Sequence, residues 1–211
     1  MIITKQKSNE DILKLLGGRK NVFIVGCGSC AEQCKTGGKE DVQRMKEFLE
    51  KHGKNVTGWI VPDETCHIPL VKRDLRSVDA GLKSSDAVLV MACGAGVSAV
   101  RESVEIAIYP SNDTVSVGNT IRLGQFAGRC SLCGECILGE TMGYCPITMC
   151  PKGVLNGPCG GMDKGKCEVD KNDDCVWVKI YDAMFVCPEE RRKVIKAKDY
   201  SKMKRGAKTE A

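Results

Sequence analysis

Residues 129–175 read RCSLCGECILGETMGYCPITMCPKGVLNGPCGGMDKGKCEVDKNDDC. Eight of them are cysteine: Cys130, Cys133, Cys136, Cys145, Cys150, Cys159, Cys167 and Cys175. Eight more are glycine, and larger apolar side chains are sparse. So little burial cannot offset the conformational entropy of ordering the segment. Thiolates bound to metal can, because ligand-binding free energy becomes folding free energy in such modules. A metal-folded module is therefore expected here, with iron–sulfur clusters as the leading occupant.

Working outward, the whole chain has 211 residues and 14 cysteines, with 42% hydrophobic content, enough for one ordinary domain plus a small second module. The N-terminus MIITKQKSNED lacks an apolar stretch of signal length, and no run reaches the roughly 18 residues of a membrane span. The expectation is a soluble, cytoplasmic protein in a reducing compartment, where dense cysteine means metal rather than disulfide. The formal charge of +5 comes from the tail: residues 189–211 carry nine Lys and Arg against four Asp and Glu, leaving 23 of each sign elsewhere. A basic tail without a readable module argues against nucleic-acid binding and fits a solvated end or a strip that docks on a partner.

Ahead of the cysteine-rich stretch, apolar runs alternate with amphipathic segments. Strands are expected at Val22–Gly26, Val56–Val61, Ala87–Met91 and Ile106–Tyr109. Helices are expected at Asn9–Leu16, Lys39–His52, Pro69–Lys83 and Val97–Val104. Alternation of this kind specifies an α/β fold, a small open parallel sheet of flavodoxin or Rossmann type with about four strands. Pro110–Leu123 reads as a loop-rich link, and Leu123–Phe126 as a segment packing back on the first domain. The domains expected are 1–123 (α/β), 124–188 (cysteine-rich) and 189–211 (basic tail).

Cysteines also punctuate the sheet. Cys27, Cys30 and Cys34 follow the first strand, Cys66 the second and Cys93 the third. Parallel strands end at one edge, and in a 2-1-3-4 order these three loops converge on the carboxyl end of strand one, where such sheets bind ligands. Five cysteines stand there for what are usually four cluster positions, and which of Cys30, Cys34 and Cys66 is spare stays open. Gly94 and Gly96 allow close backbone approach, with amides at the following helix start placed to donate to anionic sulfide. The plainer alternative makes Cys66 and Cys93 small core residues beside a tight turn. A dinucleotide fingerprint at Cys93–Gly96 is incomplete and follows the wrong strand.

Cys130, Cys133 and Cys136 approach the ferredoxin C-x2-C-x2-C pattern, which holds three corners of a [4Fe–4S] cluster. Cys145-Pro146, Cys150-Pro151 and Cys187-Pro188 each offer the Cys-Pro pair of a remote ligand. The eight cysteines fit two sites of four thiolates, one of which could hold zinc. Spacing alone leaves their partition open, Cys145 against Cys150 above all.

The runs VGCGSCAEQC (Val25–Cys34), ACGAGV (Ala92–Val97) and the whole motif from Arg129 to Gly161, with GKCEV (Gly165–Val169) and Cys175-Val176-Trp177, resemble the MetV-type small subunit of methylenetetrahydrofolate reductase. That domain is also called the methylenetetrahydrofolate reductase C-terminal domain. The resemblance implies two to three [4Fe–4S] clusters that deliver electrons to the FMN of a MetF-type flavoprotein subunit. Further electron-donor subunits stay open, and the lack of an apolar span argues against membrane insertion. Carried over by position, the candidate ligands are Cys27, Cys30, Cys34, Cys66, Cys93 and the eight from Cys130 to Cys175. Cys187 lies outside the matched motifs and stays unassigned.

Three functions compete. An electron-transfer subunit comes first, with His67 able to tune a nearby cluster from its second shell or to serve only as a satisfied loop histidine. A zinc-stabilised scaffold without a redox role comes second. An independent flavoenzyme comes last, because phosphate-loop chemistry is missing, although a flavin at this sheet edge stays open.

Overall fold

A computed structural model describes residues 1–186. Cys187 and the basic tail therefore lie outside the described residues. The chain forms two compact units, Met1–Ala127 and Gly128 onward.

In chain order the first unit contains β1 (Ile2–Gln6), α1 (Asn9–Leu16), β2 (Asn21–Val25), α2 (Cys30–Gln33), α3 (Lys39–Lys51) and β3 (Asn55–Ile60). These are followed by α4 (Ile68–Ser77), α5 (Asp79–Lys83), β4 (Ala87–Val90), α6 (Gly94–Arg101), β5 (Ile108–Pro110) and β6 (Asn112–Arg122). A last strand, β7 (Gln125–Cys130), runs across the boundary between the units.

The central sheet has the order β3-β2-β4-β5, and every adjacent pair is parallel. This is the 2-1-3-4 arrangement expected of the four apolar runs. Period-2 alternation along β2 divides the core between the two faces. Val22 and Ile24 pack with Ile12 and Leu16 of α1 and Val42, Met45 and Leu49 of α3. Phe23 and Val25 pack with Val71 and Leu75 of α4, Leu82 of α5 and Ala99 and Val100 of α6. A strand buried on both faces must be apolar throughout, which is why VFIV reads as a continuous run.

Helix starts follow the same local logic. Ser8 caps α1 by accepting the Asp11 amide at 3.1 Å. Asp41 in the first turn of α3 is buried; its carboxylate accepts the amides of Gly37 and Gly38 at 3.1 and 2.9 Å and pairs with Arg44. The helix expected over Pro69–Lys83 is two helices, broken at Val78 (φ −119°, ψ 22°). The helix expected at Val97–Val104 begins at Gly94, three residues early, with Cys93 in extended backbone at its N-cap.

One expectation fails outright. Pro110–Leu123 is no link: β6 spans eleven residues of it and joins a second, three-stranded sheet in the order β1-β6-β7. β1 pairs antiparallel with β6, Ile2 opposite Val117 and Gln6 opposite Asn112. The β-branched residues Thr114, Val115, Val117, Thr120 and Ile121 favour this strand. Val115 and Ile121 are exposed, so no clean apolar face advertises it.

The second unit has little regular structure: α7 (Pro146–Met149), α8 (Val176–Val186) and turns between them. Its core is four buried side chains of α8 (Val176, Trp177, Ile180 and Met184), against which Met142, Tyr144, Met149, Cys150, Val154 and Cys175 pack. Among the described residues no helix is long and apolar enough to cross a membrane.

Candidate functional site

At the carboxyl ends of β2, β3 and β4, loops pack backbone on backbone. The amides of Gly26 and Gly28 donate to the carbonyls of Ile60 and Pro62, and that of Cys27 to Gly37, each at 2.8 Å. Thr65, fully buried, donates its hydroxyl to the Gly26 carbonyl at 2.6 Å. A Cβ at Gly37 would collide with the Met91 carbonyl, so this contact requires glycine.

This packing brings Cys27 and Cys93 within electrostatic reach of Cys66. The Cys66 thiol is pushed up from its ordinary value, first by burial and then by Cys93 and Cys27, even though the residue as a whole is exposed. Ionising three thiols so placed builds mutual repulsion, and a cation among them would relieve it.

Cys30 and Cys34 address the main chain of β1 instead. The Cys30 sulfur accepts the Ile2 amide at 3.4 Å, and the Cys34 thiol donates to the Ile2 carbonyl at 3.8 Å. The Gly94 amide is occupied too, donating to Thr114 Oγ1 at 2.8 Å. Gly96 is buried, and a Cβ there would press on Ala92, so it serves close packing of the turn. His67 is the N-cap of α4; its Nδ1 accepts the Leu70 amide at 3.4 Å.

In the second unit the eight cysteines separate into two sets of four. Cys130, Cys133, Cys136 and Cys145 line one recess of about 370 Å³, walled by Leu132, Ile137, Leu138 and Ile147. Cys150, Cys159, Cys167 and Cys175 line another cavity of about 20 Å³, with Met149, Val154, Met162 and Trp177.

The divider is α7. Pro146 fits its first turn, where a missing amide costs nothing, so Cys145 becomes the N-cap and Cys150 the C-cap. One helical turn thus sends the two thiols to different cavities.

Around the first set the backbone turns one amide toward sulfur. Leu132 and Gly134 both take left-handed conformations (φ 56° and 80°), and the Leu132 amide donates to Cys130 Sγ at 3.4 Å. Loops of this kind form anion-binding concavities.

The second set is held by a short antiparallel ladder linking Asp163, Lys166 and Asp174. The Cys167 amide donates to Asp173 at 2.9 Å, and that of Cys175 to Gly165 at 2.8 Å. The indole of Trp177 fixes the cavity wall by donating to the Val154 carbonyl at 2.9 Å. Beside it, Asp174 accepts from Lys166 and Lys179, which hold its carboxyl below the ordinary value. Lys152 pairs with Glu168, whose carboxylate fills the space a Cβ at Gly161 would need.

Among the described residues no three His, Cys, Asp or Glu side chains are drawn together tightly enough to hold a metal ion as they stand. What the fold supplies is donor chemistry: each cavity is lined by four thiols, the set that suits iron–sulfur clusters or zinc.

Residues 109–201 match the family described as methylene-tetrahydrofolate reductase C terminal. The match supports the resemblance carried by the cysteine motif, and it covers both four-cysteine sets. No curated protein and no solved structure matches the chain. The family match and the spacing alone leave the partition of the eight thiols open. The Cys145-Pro146 pair carries the missing signal, because proline at a helix start makes its cysteine a cap.

Proposed function

We propose that this chain is the electron-transfer subunit of a methylenetetrahydrofolate reductase, serving the flavin of a MetF-type catalytic partner that reduces methylenetetrahydrofolate to methyltetrahydrofolate. The observation that carries this is the gathering of Cys130, Cys133, Cys136 and Cys145 around one recess, inside the segment that matches the methylene-tetrahydrofolate reductase C-terminal family. A [4Fe–4S] cluster bound there supplies one-electron steps to a flavin that takes two.

The protein's own part is to hold and screen that group. Four thiolates supply the ligands. The left-handed turn at Leu132 directs its amide to the Cys130 sulfur, which stabilises the more negative state. Ile137 and Ile147 limit water on the inner side, whereas Leu132 stands 69% exposed at the rim. A second group is proposed at the sheet edge, with Cys27, Cys66 and Cys93 as ligands and Cys30 or Cys34 as the completing thiol.

The test is colour and electrons. Protein purified without oxygen should be brown, contain acid-labile sulfide and bleach with dithionite. Mixed with an oxidised MetF-type flavoprotein, the reduced chain should bleach the flavin and recover its own absorbance. A colourless chain without labile sulfide would sink the proposal.

A further inference from the structure

The two four-cysteine cavities differ in size by more than an order of magnitude, about 370 Å³ against about 20 Å³. A single water needs roughly 10–15 Å³ of such space. As its thiols stand, the smaller cavity leaves room for about one water-sized body, whereas the first recess is open enough for a larger group. We propose that Cys150, Cys159, Cys167 and Cys175 take a single zinc ion in place of a cluster. The inference assigns one of the two thiol sets in the proposed subunit, but it stands on the geometry of that set alone.

Three features agree with a closed structural ion. All four donors are sulfur, a set that selects zinc or iron–sulfur at tetrahedral geometry, and the narrower of the two cavities favours the single ion. The site is braced from behind: Cys150 and Cys175 pack on the α8 core, where Trp177 is 1% exposed and fixes Val154. The Cys167 and Cys175 main chains are tied within one short ladder, while Cys159 enters on a loop turned by Gly157 and Gly160 (φ 112° and 83°). Such an ion closes three chain segments onto α8 and adds no redox step, as structural zinc does in other four-thiolate modules.

The experiment uses the full chain, expressed and purified without oxygen, with zinc, iron and labile sulfide counted per chain. The intact protein should hold one zinc, with an X-ray absorption shell of four sulfurs at about 2.3 Å. Cys167→Ser should lose that zinc and no iron. Cys133→Ser should lose four irons and four sulfides, one cubane, and keep the zinc.

Loss of iron and sulfide from Cys167→Ser would overturn the assignment, as would an intact chain without zinc. If both variants fail to fold, the absorption shell of the intact chain decides: four sulfurs on zinc support the site, and oxygen or nitrogen neighbours refute it. Zinc on four sulfurs in a chain devoid of iron would uphold this inference while sinking the electron-transfer proposal. Iron in both sets would do the reverse.

Discussion

The two units solve the folding problem with different materials. The first buries Phe23, Val25, Val88 and Val90 on one face of a parallel sheet and Val22, Ile24, Leu89 and Met91 on the other. The second has a single cluster of four buried apolar side chains, all on α8, and leads the rest of its chain past thiols. Hydrophobic burial suffices for the one, whereas the other leaves most of its ordering to ligands. The comparison teaches where each kind of damage should be felt.

The largest predicted effect comes from metal removal. Structural zinc alone is worth about 10–16 kcal/mol in small thiolate modules. Oxidative chelation should therefore unfold the second unit while the sheet unit survives. Limited proteolysis followed by mass spectrometry checks this: a resistant fragment ending near Ala127 is expected, and cleavage spread evenly along the chain would break the comparison. Next comes the sheet core. Phe23 is 1% exposed, so Phe23→Ala should cost about 3–5 kcal/mol in a denaturation curve followed by far-ultraviolet dichroism. Metal content should stay unchanged.

The smallest effect sharpens the comparison at the surface of the second unit. Lys166 and Lys179 depress Asp174, so its contribution to stability is present above the ordinary carboxylate value of 3.8 and is lost as pH falls through its lower folded value. Asp174→Asn should give a slightly lower melting temperature at pH 7. The difference should fade toward pH 3 and shrink with added salt, because exposed pairs are weak.

What could be read from the chain followed the same division. β2 and β4 announce themselves because burial on both faces leaves no room for polar residues, and the parallel order followed from strand–helix alternation. β6 did not, since Val115 and Ile121 face solvent and its pairing partner β1 lies more than a hundred residues away. Such long-range pairing leaves no local trace. At the sheet edge, strand ends predicted that Cys27, Cys66 and Cys93 converge, but nothing local told that Cys30 and Cys34 would turn to Ile2. Thiol count suggested two sets of four. Their membership depended on one helical turn, α7, which only Pro146 foreshadows.

The exposure of the first cysteine loop has a consequence for the life of the protein in air. Cys130 and Cys136 are exposed and Leu132 stands out at the rim. With a cluster seated there, dioxygen would meet iron before it met anything else in this unit. The thiols of a narrow zinc site, carrying no iron to oxidise, would outlast it. Ageing of the purified protein would then be stepwise: colour and labile sulfide vanish first, zinc and the α8 core remain, and a pale but folded chain accumulates that still waits to be refilled.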